Sequence, residues 1–163
     1  MADKKLVCTQ AAASRMIEIV DTIGMPKEKV RTELLLVHGD DGRQGEDLRQ
    51  AFAQYSDYPI PPTWRLPIRV VPASCSESDI KSAVQAGNLP SVAEQVAEQL
   101  TDINRSVFMY GWMQGVTTVS SNRTVAKQIE AIVEKESPGA MGPDIWLREP
   151  ARSLLGKEKE RRK

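Results

Sequence analysis

Apolar residues recur at steps of three and four over most of the chain, which is the spacing of amphipathic helices. In the N-terminal region, one such face consists of Met16, Ile19, Val20 and Ile23. It predicts a helix over about residues 9–22, with Thr9 as its N-cap. A second helix is expected after Pro26, with Leu34 on its apolar face. Residues 34–37 also fit a strand, because a short apolar run has no decisive period.

The same spacing predicts three further short helices. They cover about residues 46–55, residues 77–86 and the segment from residue 122 to the Ser-Pro-Gly sequence at 137–139. Serine and asparagine side chains accept hydrogen bonds from the first backbone N–H groups of a helix. The expected caps are therefore Ser76 or Ser78 for the second of these helices and Ser121 or Asn122 for the third.

The longest helix is predicted over residues 92–114, beginning at a capping box of Ser91 and Glu94. Its second half, residues 103–113, is apolar nearly all round. Such a helix is either the centre of the core or is covered on one side by another subunit. Its first half carries an acidic stripe made of Glu94, Glu98 and Asp102. That stripe is either a solvated face or the receptor of a basic segment, from this chain or a neighbour.

A proline-rich segment, residues 57–73, interrupts the helical pattern and holds five of the ten prolines. Apolar side chains alternate with polar ones or proline along it: Trp64, Leu66, Ile68 and Val70. This period of two predicts extended backbone, and Pro67 restricts it to an edge strand or an extended arm. The backbone of the arm needs hydrogen-bond partners, either within the chain or on a neighbouring molecule.

Together these elements predict a mainly α fold, a helical bundle of five to seven helices. The 163 residues suffice for one domain with a substantial core. We expect a single helical domain over residues 1–155, which includes the arm at 57–73, followed by a basic C-terminal tail at 156–163.

Charge is balanced in total but not along the chain. Lys plus Arg and Asp plus Glu both number 22. Residues 148–163 hold seven basic and three acidic residues, so the remainder carries 15 basic and 19 acidic ones. The composition therefore excludes a uniformly basic coat for nucleic acid and indicates an acidic body with a basic tail.

The sequence predicts a cytoplasmic protein without membrane contact. We find no secretory signal and no apolar run of about 18 residues, the length that spans a bilayer. Cys8 and Cys75 are interpreted as reduced thiols of an intracellular protein. His38 is the only histidine, which excludes sites that need two, and no metal site or cofactor is predicted.

The favoured function is that of a non-enzymatic subunit of a larger assembly, bound to a protein partner or to further copies of itself. Docking would use the arm, the apolar long helix and the basic tail. The predicted partner-binding residues are Trp64, Leu66, Ile68, Val70, Phe108, Trp112 and Met113. This interpretation accounts for an extended segment without an evident strand partner, an all-round apolar helix and two regions of opposite charge.

A helix-turn-helix nucleic-acid-binding protein is the first alternative. Residues 16–34 place Gly24 in a turn between two helices, as in such motifs. Basic side chains at the start of the second helix and in the tail would contact nucleic acid. They are Lys27, Lys29, Arg31, Lys157, Lys159, Arg161, Arg162 and Lys163.

A small carboxylate- or metal-dependent hydrolase is the second alternative. Its candidate groups are Glu18 and Asp21 on one helix and Asp40 and Asp41 in a glycine-rich loop. Paired carboxylates suit general acid–base work or metal binding. The second carboxylate-bearing helix that such enzymes need is not evident in the sequence.

Overall fold

The computed structural model describes residues 4–36, 45–73 and 75–149. Within these residues the fold is mainly helical, with seven helices and four short strands. The predicted fold class, a bundle of five to seven helices, is confirmed. The chain divides between Val71 and Pro72 into two compact units. We refer to them as the N-terminal unit, residues 4–71, and the C-terminal unit, residues 72–149. The single domain expected over residues 1–155 stays a prediction.

The N-terminal unit contains three helices and a two-stranded parallel sheet. In chain order its elements are β1 (Val7–Thr9), α1 (Gln10–Ile23), α2 (Pro26–Leu35), α3 (Glu46–Gln54) and β2 (Arg69–Val71). The two strands pair in parallel, with Val7 opposite Arg69. Because parallel neighbours need a crossover, the three helices form the connection between them.

Local sequence signals determine where the first two helices begin and end. The Oγ1 of Thr9 accepts a hydrogen bond from the backbone N–H of Ala12, so the predicted N-cap is confirmed. A Cβ atom at Gly24 would lie 2.5 Å from the carbonyl oxygen of Val20, which explains why glycine follows α1. Leu34 and Leu35 belong to α2, so the strand alternative is wrong for these two residues.

The proline-rich arm finds its backbone partners within the N-terminal unit. The N–H of Ile68 donates to the carbonyl oxygen of Leu35 at 2.9 Å, and the residues that follow form β2. The peptide bond between Leu66 and Pro67 is cis. Trp64 meets Phe52 edge to face, with ring centroids 5.2 Å apart. The buried side chains of this core are Leu34, Leu48, Phe52 and Leu66.

The C-terminal unit contains four helices and a second parallel pair of strands. In chain order its elements are α4 (Glu77–Gln85), α5 (Val92–Glu98), α6 (Asp102–Met113), β3 (Thr118–Ser120), α7 (Arg123–Glu136) and β4 (Ile145–Leu147). Helix α7 forms the crossover between β3 and β4, and Val119 lies opposite Trp146. The most deeply buried side chains include Val96, Phe108 and Ile129.

The single long helix predicted over residues 92–114 is wrong. Thr101 has extended backbone (φ −63°, ψ 158°), and its Oγ1 accepts a hydrogen bond from the N–H of Asn104, so a new helix begins there. The apolar spacing continues across the break because both helices bury their apolar faces in one core, and this hides the break in the sequence. The acidic stripe is therefore divided, with Asp102 on a different helix from Glu94 and Glu98.

Helix caps elsewhere in this unit are mostly as expected. Ser76 forms a capping box with Asp79 at the start of α4, and Asn122 caps α7 through Val125. The capping box predicted at Ser91 is absent, because Ser91 itself has helical backbone and its side chain makes no cap hydrogen bond. No helix in the described part of the chain has the length and apolarity that crossing a membrane requires.

Candidate functional site

The four predicted partner-binding residues of the arm lie against the N-terminal unit. Leu66 is 5% exposed, while Trp64, Ile68 and Val70 are half-buried. Trp64 also packs against Phe52. In this structure these apolar side chains stabilise their own unit. Their contact with a partner stays a prediction, and for Leu66 such a contact would require the core to open.

The three predicted partner-binding residues of the long helix lie on α6. Phe108 is 1% exposed and belongs to the core of the C-terminal unit. Trp112 and Met113 are half-buried and pack against the same core. We expected this apolar helix either at the centre of the core or covered on one side by another subunit. The positions of these three side chains agree with the first interpretation. Partner contact by Trp112 and Met113 stays a prediction.

The predicted nucleic-acid-binding residues on α2 already have acidic or carbonyl partners. Lys27 lies 3.9 Å from Asp57, and Arg31 lies 3.9 Å from Glu28. The Nζ of Lys29 donates to the carbonyl oxygen of residue 21 at 2.8 Å. Such contacts at the surface are weak and do not prevent phosphate binding. The predicted binding residues of the tail, at 157–163, lie outside the described residues.

Of the candidate hydrolase groups, Glu18 and Asp21 both lie on α1. Glu18 accepts a hydrogen bond from Arg15 at 2.6 Å on the exposed side of α1. The carboxylates of Asp40 and Asp41, like the imidazole of His38, lie outside the described residues. Among the described residues, no three His, Cys, Asp or Glu side chains are grouped so as to hold a metal ion.

Both cysteines are free thiols. Burial raises the pKa of Cys8. Burial also raises the pKa of Cys75, the charge of Asp79 adds to this increase, and Arg105 opposes it. The Sγ of Cys75 donates to the carbonyl oxygen of Ser106 at 3.9 Å. Because the thiolate is the nucleophile, these raised pKa values make both side chains poor nucleophiles at neutral pH.

An exposed apolar face lies on the sheet of the C-terminal unit. Val119 and Trp146 are opposite each other in the register and point to the same side, and they are 43% and 36% exposed. The guanidinium carbon of Arg148 lies 4.4 Å from the centroid of the Trp146 ring. We call these three residues the outer sheet face. The ladder bond from the N–H of Arg148 to the carbonyl oxygen of Ser120, 2.9 Å long, extends the strand pairing and fixes this arrangement.

The opposite side of β4 borders a groove of about 450 Å³ between this strand and α7, which we call the α7–β4 groove. Its apolar lining comes from Ala126, Ile129, Val133, Ala140, Pro143, Ile145 and Leu147. Arg123 and Lys127 line one part of the helix side, and Glu130 and Glu134 line the part further along α7. The groove is thus an apolar channel with basic side chains at one end and acidic ones at the other.

Sequence reasoning missed both the outer sheet face and the groove. Ile145, Trp146 and Leu147 are all apolar, so no alternation reveals which of them is buried. The nearest signals are the high β-propensity of this triplet and the i, i+3, i+7 spacing of Ala126, Ile129 and Val133. Neither signal indicates that β4 and α7 are neighbours in the fold.

Comparison of the chain with models of known protein families, with curated proteins and with solved structures finds no match.

Proposed function

We propose that this protein is a non-enzymatic subunit of a larger assembly and that it binds another protein chain through the outer sheet face. The observation that carries the proposal is the exposure of Val119 and Trp146 side by side, with Arg148 stacked on the indole. Tryptophan and arginine are the residue types that dominate the binding energy of protein interfaces. The stacking of Arg148 on Trp146 already restricts these two side chains, so less side-chain entropy is lost on binding.

The chemistry of this face defines the surface that fits it. Removing the exposed parts of Val119 and Trp146 from water contributes on the order of 1 kcal/mol for each side chain. Arg148 has no acidic partner among the described residues, and its guanidinium remains free to form a bidentate pair with a carboxylate. The partner we propose therefore presents an apolar cleft beside an Asp or Glu, on a different protein or on a second copy of this chain.

A cytoplasmic location is part of the same proposal. Two free thiols, one buried and one half-buried, are typical of proteins kept in a reducing compartment.

The test is a pull-down from the native source with the full chain as bait, comparing the wild-type protein with Trp146→Ala. Tyr58→Ala is the matched control, because Tyr58 is 79% exposed and belongs to the other unit. The proposal requires proteins that are retained by the wild type and by Tyr58→Ala and lost with Trp146→Ala. Light scattering of the same variants tests whether the partner is a second copy of this chain. If all three baits recover the same proteins and have the same molecular mass, the outer sheet face is not a docking surface.

A helix-turn-helix nucleic-acid binder is the second candidate function. The observation that favours it is the short two-residue connection, residues 24–25, between α1 and α2. Lys27, Lys29 and Arg31 lie near the start of α2, where a recognition helix contacts DNA.

Fluorescence anisotropy with labelled duplex DNA distinguishes the second candidate from the first. A nucleic-acid binder loses affinity steeply as salt rises, since bound cations are released from the phosphates. Neutralising Lys27, Lys29 and Arg31 lowers the affinity and the salt dependence if α2 lies at the interface. An affinity that these replacements leave unchanged would contradict α2 as the binding site.

A further inference from the structure

We propose that two copies of this chain pair through β4, with the two strands antiparallel about a two-fold axis at Trp146. This inference rests on the proposed function, because Trp146 and Arg148 belong to the outer sheet face. It identifies the partner as a second copy of this chain, and it adds the edge of β4 and the α7–β4 groove to the interface.

The first argument is the open edge of β4. The carbonyl oxygen of Asp144 and the N–H of Arg148 bond to β3, at 2.8 and 2.9 Å. In a parallel ladder, alternate residues direct their N–H and C=O groups to the same neighbour. The backbone groups of Ile145 and Leu147 therefore point away from β3, where the described part of the chain supplies no further strand. An edge of this kind accepts an added strand.

The second argument is the symmetry of this edge. With the axis at Trp146, Ile145 of each copy lies opposite Leu147 of the other. Residues that face each other in a hydrogen-bonded antiparallel pair exchange both of their N–H···O=C bonds. An axis at Ile145 would instead place Leu147 opposite Pro143, which has no N–H to donate. The axis at Trp146 therefore satisfies all the outward backbone groups of β4.

The third argument is the match of side chains on the outer side of the sheet. Asp144, Trp146 and Arg148 are alternate residues of one ladder and point to the same side. The axis places the two indoles opposite each other and places Arg148 opposite the second copy's Asp144. Aromatic pairs and pairs of opposite charge stabilise neighbouring antiparallel strands. Asp144 already accepts a hydrogen bond from Thr117 through Oδ2, and its Oδ1 can accept from Arg148.

The fourth argument is the charge along α7. The exposed side chains of Arg123, Lys127, Glu130 and Glu134 line the groove, so this stripe is basic in its first half and acidic in its second. A two-fold axis reverses the stripe in the second copy, and each basic half then faces an acidic half. Lys127 lies toward the second copy's Glu130, and Arg123 lies toward its Glu134. Apart from the exposed contact of Arg123 with Glu149, the stripe has no ion-pair partner among the described residues.

The spacing of the elements brings the two stripes together. A crossover helix lies over the strands that it joins, and neighbouring strands are about 4.8 Å apart. In a continuous sheet of four strands, the two copies of α7 are therefore about 10 Å apart on one face, which is the usual distance between packed helices. The other side of α7 borders α5, so the groove side is the one that a second helix can approach.

The fifth argument is that strand and helix share one axis. The guanidinium of Arg123 lies 3.2 Å from the carboxylate of Glu149, and a Cβ atom at Gly142 would lie 3.7 Å from Val133, so α7 runs antiparallel to β4. Between these two contacts, Trp146 is level with a point about 6 Å along α7 from Arg123. The stripe changes from basic to acidic about 8 Å along the helix from the same residue. One axis therefore pairs both the strand edges and the opposite charges.

The first test measures the mass of the full chain by sedimentation and light scattering, from micromolar to near-millimolar concentration. We expect a dimer that dissociates on dilution and weakens as salt rises, because salt screens the exposed charges of α7. In the dimer, the N–H groups of Ile145 and Leu147 exchange at least about tenfold more slowly than in the dilute protein, since hydrogen-bonded amides exchange only on opening. The N–H of Arg148, bonded to β3, is the internal reference. A monomer at every concentration would overturn the proposal.

A charge exchange between two full-length variants tests the arrangement. Lys127→Glu and Glu130→Lys each place like charges opposite each other in the dimer, and each weakens self-association by at least about tenfold. Mixed together, the two variants form a heterodimer in which both pairs again have opposite charges, with an affinity within about threefold of the wild type. Lys135→Glu is the matched control, because Lys135 lies on the side of α7 that borders α5, and it leaves the dimer unchanged.

Two outcomes separate this inference from the proposed function. If the isolated chain stays a monomer while a different protein is recovered with the wild type and lost with Trp146→Ala, the outer sheet face is a docking surface and the second copy is the wrong partner. If a dimer forms but the Lys127→Glu and Glu130→Lys variants show no preference for each other, the dimer uses another surface. Either result overturns the pairing through β4.

Discussion

The Oγ1 of Thr118 in β3 occupies the space that a Cβ atom would need at Gly111 in α6. The backbone of the helix thereby approaches the strand more closely than any residue with a side chain allows. We predict that Gly111→Ala lowers the free energy of unfolding by about 1–3 kcal/mol, the usual cost of overpacking. Urea unfolding followed by circular dichroism measures the change.

The controls for Gly111→Ala come from the same unit. At Gly142 a Cβ atom meets Val133 at 3.7 Å, an ordinary contact, so Gly142→Ala should leave the midpoint nearly unchanged. Thr118→Ala removes the obstructing hydroxyl, and the double variant should recover part of the loss. No recovery would show that the hydroxyl is not the cause.

The contact between Phe52 and Trp64 gives a second prediction. Trp64→Ala removes an edge-to-face aromatic pair and half-buried surface, and we expect a loss of about 2 kcal/mol of unfolding free energy. Tyr58→Ala, at a side chain that is 79% exposed, should change stability little. Thermal unfolding of both variants measures the difference. Equal stability of both variants would mean that Trp64 does not hold the arm to its unit.

The break between α5 and α6 gives a third prediction. Thr101→Ala removes the side chain that accepts from the N–H of Asn104, and the loss of an N-cap costs about 1 kcal/mol. Ser91→Ala removes a side chain that makes no cap bond and should stay within a few tenths of 1 kcal/mol of the wild type. Chemical denaturation of the two variants side by side measures the contrast. The opposite order would indicate one helix that begins at Ser91.

The capping box of α4 makes the stability of this helix depend on pH. Hydrogen bonds from the side chain and backbone of Ser76 lower the pKa of Asp79 below its ordinary value. Because the folded-state pKa is the lower one, the cap stabilises α4 above the unfolded-state pKa of about 3.9. This contribution is lost as the pH falls through the folded-state pKa.

An NMR titration of the Asp79 carboxyl carbon between about pH 6 and pH 2 measures this directly. Ser76→Ala should move the titration upward toward the ordinary aspartate range, since it removes the hydroxyl that donates to the carboxylate. Ser82→Ala, on the same helix, is the control, because its hydroxyl donates to the carbonyl oxygen of residue 78 instead. An unchanged Asp79 titration in Ser76→Ala would contradict the assigned cause.

The sequence predicted helix starts better than it predicted the candidate sites. The caps at Thr9, Ser76 and Asn122 depend on hydrogen bonds to residues three positions away, so the local sequence contains the information. The break near Thr101 was missed because the apolar spacing of a helix continues through Leu100. This residue is buried in the core although it lies in the connection between α5 and α6. The groove and the outer sheet face depend on pairing β3 with a strand about 27 residues later, and no local pattern reports such a pairing.

The parallel pairing of β1 with β2 has a consequence for biosynthesis. Val7 is synthesised some sixty residues before its strand partner Arg69. β1 therefore has no strand partner until the proline-rich arm has been translated. The N-terminal sheet therefore forms only after the arm has been synthesised, so the helices between the two strands are complete before the sheet is.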